Sequence, residues 1–220
     1  MREKNGSFGS RFLFVRYHHG MDYQAKLSVP FGVLGIRCTG DVLTGIDFLP
    51  AGEKPQRATS MFAQTVSEQL LRYLENPDAQ FSVPLELNGT PHQQKVWQAM
   101  LDIPRGQTRS YGELATKLKS CAQAVGQACG ANPIPIIVPC HRVVGKAGLG
   151  GFARHTSGAH LDIKRWLLAH EAATPSPLQG EGWVTNDLAV VVGQPSQMAS
   201  SSIREGRSSE RTSPGMTKPK

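Results

Sequence analysis

Residues 132–145, NPIPIIVPCHRVVG, place a thiol directly before an imidazole, behind three prolines and an aliphatic run. Cys140 in that setting has three chemical uses: nucleophile, metal ligand or packing. A free thiol titrates near ~8.5, so only a small fraction is thiolate at neutral pH. A histidine partner or a helix N-terminus raises that fraction. Against this stands the ordinary fate of a lone cysteine, which is to be buried as a small apolar group. A metal site is not expected. The four cysteines, Cys38, Cys121, Cys129 and Cys140, form no C-x-x-C pair, and thiolate sites draw on closely spaced ligands. Glu171 bears on the choice. It prolongs the apolar spacing of "LDIKRWLLAHE" and falls at the C-terminal end of that stretch, where the helix dipole disfavours negative charge. A carboxylate that orients His141, which in turn activates Cys140, would make a nucleophile–base–orienter set. A frayed, solvated helix end is the alternative, and the residues alone leave both open.

The elements that would position these groups fall into two units. Residues 1–20 read as an extension. From Tyr23, "YQAKLSV", "FGVLGIRC" and "LTGIDFL" are strand-like and separated by turn signals. Phe62, Val66, Leu70 and Tyr73 then recur at helical spacing, and Asn76-Pro77 ends that helix. Residues 21–88 therefore form a small α/β domain of antiparallel strands and a helix, with nothing in it that looks chemical. From residue 89 the pattern is helical. Thr90-Pro91-His92-Gln93 and Ser110-Tyr111-Gly112-Glu113 both read as capping boxes. The second opens a helix that a turn joins to "CAQAVGQACGAN", which must stop near Asn132 because Pro133 follows. The spacing predicts a helix-turn-helix, so 89–175 is read as a winged-helix-like domain carrying Cys140. The fold class is α+β. Residues 176–220 lose periodicity and are expected to be a disordered tail, with "DLAVVVG" the one stretch that argues otherwise.

Charge follows the same division. Residues 90–175 hold ten Lys/Arg against four Asp/Glu, whereas 21–89 hold five against eight. A basic domain beside a mildly acidic one suits contact with a polyanion. The Ala/Gly-rich third helix adds to this: each glycine forfeits about 1 kcal/mol of helix propensity, a cost that makes sense where another surface approaches the backbone. Tight packing on a neighbouring helix is the alternative. No run of apolar residues is long enough to span a membrane, and the basic start lacks an apolar signal core. A cytoplasmic protein is expected.

"NPIPIIVPCHRVVG", with "SYGELA" before it and "IKRWLLAHE" after it, resembles the methylated-DNA–protein-cysteine methyltransferases, the O6-alkylguanine-DNA alkyltransferases. The resemblance runs from about Tyr23 to Glu171 and is strongest in the second half. It implies direct reversal of DNA damage. Cys140 would accept an alkyl group from O6-alkylguanine, and less readily from O4-methylthymine, once per molecule and without a cofactor. His141, through a water, and Glu171 would keep the thiol nucleophilic. Asn132 would brace the active-site turn, and Tyr111 would help rotate a phosphate and protonate the leaving base. Ala122, Gln123, Ala124, Gly126, Ser110, Tyr111 and Arg142 would face double-stranded DNA in its minor groove. Pro135, Val143, Val144 and Phe152 would line the pocket for the flipped base. A monomer is implied.

Two departures from the family pattern stand out. Gln123 occupies the position where the family's recognition helix usually carries an arginine, and the segment between Phe152 and Leu161 is several residues longer than usual. The amino-terminal region also lacks the cysteine cluster of members that double as activators. Two other readings compete: a module that binds alkylated bases and signals without transfer, and a thiol hydrolase. The first usually lacks the acceptor cysteine, and the second has no use for the Ala/Gly helix.

Overall fold

A computed structural model of the chain describes residues 22–50, 52–172 and 190–191. The expected extension, 1–20, and most of the expected tail lie outside the described residues. Strands β1 (Ala25–Val29), β2 (Gly32–Thr39) and β3 (Val42–Leu49) form an antiparallel meander. The sheet then continues in parallel through two short strands, β4 (Leu85–Glu86) and β7 (Val190–Val191). It is thus mixed rather than purely antiparallel, and it recruits its last strand from the segment expected to be disordered. That strand comes from the Val-rich stretch already marked as the exception.

Helix α1 (Met61–Glu75) opens on Ser60, whose hydroxyl accepts from the Ala63 amide at 3.1 Å. It buries Ala63, Val66, Leu70 and Tyr73 and stops at Asn76, as the sequence spacing predicts. Both predicted capping boxes form. Thr90 starts α2 (Pro91–Leu101), and Ser110 starts α3 (Tyr111–Lys117), each with its Gln or Glu reaching back to the cap amide. A turn joins α3 to α4 (Ala122–Gly130). Strand β5 (Arg109–Ser110) pairs in parallel with β6 (Val143–Val144), and α5 (Ala159–Ala172) closes the domain. No helix among the described residues is long and apolar enough to cross a membrane.

One apolar core runs through both units. Its joints are specific. The Trp97 indole donates to the Ala128 carbonyl at 2.8 Å, fixing α2 to α4. The Ile46 amide donates to the Pro133 carbonyl at 2.9 Å, tying the sheet to the segment that leads into Cys140. Phe48 packs on Phe152 with ring centroids 5.5 Å apart. The sheet therefore serves as a backing plate for the cysteine-bearing turn.

Candidate active site

Cys140 opens a single turn of 3-10 helix, Cys140–Arg142, behind Pro139. The chain reaches it through a tight turn in which Ile136 has φ 77°, a region that β-branched residues avoid. Asn132 holds both sides of that turn. Its carboxamide oxygen accepts from the Ile134 amide at 3.1 Å, and its Nδ2 donates to the Val138 carbonyl at 2.8 Å. Backbone strain persists only where surrounding bonds over-determine it, and Asn132 supplies two of them.

Cys140 is buried, with 4% of the residue exposed. Burial pushes its pKa up, and the opposing influences are the Asn132 side chain, the Lys164 ammonium and the backbone amides of Cys140 and His141. His141 is wholly buried, with Nε2 2.9 Å from Glu171 Oε1. Burial pulls the imidazole pKa down against the upward pull of Glu171, so the ring is neutral. For Glu171, burial favours the acid, but hydrogen bonds from His141 and Arg142, with the Arg142 charge, outweigh it. They hold the carboxyl well below the usual carboxylate range. An ionised carboxylate only accepts, so the imidazole proton lies on Nε2 and the basic lone pair on Nδ1. That Nδ1 is buried and has no protein hydrogen-bond partner among the described residues. The set is thus poised to take a proton on the side away from Glu171.

Three side chains in this network were not foreseen. Tyr73, on α1 of the first domain, donates to Glu171 Oε1 at 2.7 Å. Arg142, expected at the DNA surface, instead turns inward. Its Nε and Nη2 grip the two Glu171 oxygens at 2.9 and 2.8 Å, and its Nη1 donates to the Ile103 carbonyl at 2.6 Å. A buried carboxylate needs a compensating charge, and Arg142 supplies one directly to both carboxylate oxygens. Lys164 is wholly buried and donates to the carbonyls of Val143, Leu149 and Gly151 at 2.7, 2.6 and 2.9 Å. Burial draws its pKa down to about 8, with Cys140 and Cys129 pulling the other way. The spacing Lys164, Leu167, Glu171 follows the buried face of α5 and could have disclosed it; lysine is so often a surface residue that the position reads as solvent. Trp166 and His170 are half-buried on the same helix and stack on each other with ring centroids 4.9 Å apart.

Cys140 lies at the wall of a cavity of about 290 Å³ that it shares with Tyr111, Gly126, Cys129, Gly130 and residues 151–156. Tyr111, the first residue of α3, donates to the Gly151 carbonyl at 3.2 Å, and burial pushes its pKa up to about 12. It keeps its proton at neutral pH and can donate it. Phe152 lines the cavity as expected, whereas Pro135, Val143 and Val144 do not. Pro135 is buried in the strained turn, and the 3-10 turn after Pro139 carries the chain away from the cavity into the β5–β6 pair. Outside the cavity, α4 exposes Ala122, Gln123 and Gln127 and half-buries Ala124, while Gly126, also half-buried, lies at the cavity itself. Ser110 is half-buried, its hydroxyl occupied in the cap.

A family model described as "6-O-methylguanine DNA methyltransferase, DNA binding domain" matches residues 91–173, and the corresponding "ribonuclease-like domain" matches residues 23–87. The methylated-DNA–protein-cysteine methyltransferase of Mycobacterium bovis is 41% identical over 159 residues, covering 69% of this chain and 93% of that protein. Among solved structures, the O6-methylguanine methyltransferase of Mycobacterium tuberculosis superposes with a TM-score of 0.60 at 38% identity, covering 69% and 93% of the two chains. A structure of the Mycobacterium tuberculosis protein in complex with DNA matches with a TM-score of 0.56 at 38% identity, covering 67% and 91%. With both domains matched in order and a relative covered almost end to end, the chain belongs to the methylated-DNA–protein-cysteine methyltransferase family.

Proposed function

We propose that this protein reverses alkylation damage in duplex DNA by moving the alkyl group of O6-alkylguanine onto Cys140. The observation that carries the reading is a buried thiol, Cys140, at the wall of a cavity, followed directly in the chain by the buried His141–Glu171 pair. The damaged nucleotide swings out of the helix, because a base inside a duplex offers no access to its reacting atom. Sγ attacks the alkyl carbon, the S–C bond forms and the C–O6 bond breaks. The thiol proton passes through a water to His141 Nδ1. The electron pair leaves with guanine, which takes a proton from Tyr111, and solvent restores the tyrosine. The sulfur ends as a thioether with no carbonyl for water to attack, so each molecule acts once. Asn132 holds the turn that presents the sulfur.

Helix α4 supplies the DNA-facing surface through Gln123 and through Ala122, Ala124 and Gly126, whose small side chains suit the narrow minor groove. Ser110 and Tyr111 add the N-terminus of α3, where backbone amides favour phosphate. The protein works as a monomer, since the His141–Glu171 pair and the cavity are complete within one chain. Signalling without transfer is the weaker reading, because the acceptor thiol is present beside a formed His141–Glu171 pair. The test is a duplex carrying methyl-labelled guanine, followed by digestion of the protein. Label should appear on Cys140 and approach one per molecule. Demethylation of the duplex by Cys140→Ser at the wild-type rate would overturn the reading.

A further inference from the structure

Helix α4, AQAVGQACG, carries no charged side chain. The cation that stands over it comes from elsewhere in the chain. Phe152 and His155 exchange both backbone hydrogen bonds at 2.8 Å, and between them Ala153 and Arg154 have φ 47° and 67°. Two successive residues in the left-handed region make the kind of turn that Asn-Gly or Gly-Gly ordinarily supplies. An Ala-Arg pair there stores strain, which collects at functional sites. The turn lies within the segment that is longer than the family pattern. At its tip, Arg154 Nε donates to the carbonyl of Gly130 at 3.1 Å, at the C-terminal end of α4 where a cation is favoured. A Cβ at Gly130 would come within 3.2 Å of Arg154 Cγ, so glycine there makes room for the crossing. The side chain is exposed, and its Nη1 and Nη2 have no partner among the described residues. It borders the Cys140 cavity on one side and, on the other, a groove lined by Gln93, Gln123 and Gln127.

We infer that Arg154 is a DNA-contacting residue, its guanidinium engaging the phosphate backbone of the extrahelical nucleotide at the mouth of the cavity and supplying the cation that α4 lacks. The inference rests on Cys140 being the acceptor. A nucleotide whose base reaches that sulfur leaves its phosphate outside the cavity, and Gly126, Gly130 and Arg154 line both the cavity and the adjoining groove. Of these only Arg154 can neutralise a phosphate, and its planar fork matches two phosphate oxygens at once. The bond to Gly130 fixes the near end of the guanidinium and leaves the far end for the ligand.

The test compares full-length wild type with Arg154→Ala and Arg154→Lys, using labelled duplex and labelled free O6-methylguanine as methyl donors. Arg154→Ala should slow transfer from duplex about tenfold, the loss expected of one charge-assisted contact. It should also lower the slope of log affinity against log salt by about 0.9. Arg154→Lys should keep the slope and recover part of the rate, and in both variants any loss on the free base should be smaller than the loss on duplex. Label on Cys140 with no change in duplex rate or salt slope would overturn the inference alone. Equal loss on duplex and free base would also overturn it, by reducing Arg154 to a pocket wall. Absence of label from wild-type Cys140 would overturn the acceptor assignment and this inference together.

Discussion

Lys164 shows how one buried side chain sets the electrical surroundings of the sulfur. Three carbonyls accept from it, and its ammonium is the cation that opposes the burial of Cys140. Its depressed pKa gives a signed prediction. Between about 8 and the ordinary lysine value of 10.5, the unfolded chain binds a proton that the folded chain has released. Stability contributed by this group therefore rises with pH across that window. The rise is on the order of 3 kcal/mol, from about 1.4 kcal/mol per unit. Lys164→Met should remove that rise. Urea unfolding of both proteins at pH 8 and pH 10 measures it, and the difference between them cancels other titrating groups. Parallel pH dependences would show that Lys164 is no more shifted than a surface lysine.

At the scale of elements, what could be read in advance was whatever depends on near neighbours in the chain. The two capping boxes, the end of α1 at Asn76 and the end of α4 before Asn132 each follow from local rules, and each formed. Strands of two residues, β4 and β7, carry no periodicity to detect, so the parallel half of the sheet was not legible. His141 and Glu171 meet at 2.9 Å, a pairing that was legible because Glu171 breaks two helix rules at once. Arg142 was misread for the opposite reason. Nothing near it in sequence reveals that its partner lies 29 residues away. Helix α4 yields a prediction of its own. With Gln123 exposed and no charge on the helix, Gln123→Arg should raise the rate on duplex about tenfold relative to the rate on free base. An equal gain on both donors, or none, would show that position 123 does not meet DNA.

The whole molecule matters to the chemistry because the first domain reaches the His141–Glu171 pair. Tyr73 lies 98 residues from Glu171 and donates to the same carboxylate oxygen that faces His141. Its own pKa is pushed up, by burial first and by Glu171 next, so it remains a donor at any working pH. In the proposed reaction Tyr73 would be a positioning residue, acting on Cys140 only through Glu171 and His141. The sign of its effect follows from sharing. Donation by Tyr73 withdraws negative charge from Oε1; without it, more charge faces His141 Nε2, the imidazolium is better stabilised and the His141 pKa rises. Tyr73→Phe keeps the ring, which packs against Phe81 and His170, and removes the hydroxyl alone. The rate of alkyl transfer should then fall at neutral pH, and the acid limb of its pH profile should move to higher pH. If the hydroxyl only steadied the domain contact, the variant would unfold more easily while the limb stayed in place. A profile that keeps its wild-type midpoint would confine the first domain to scaffolding, and one displaced upward would make it part of the machinery that readies the sulfur.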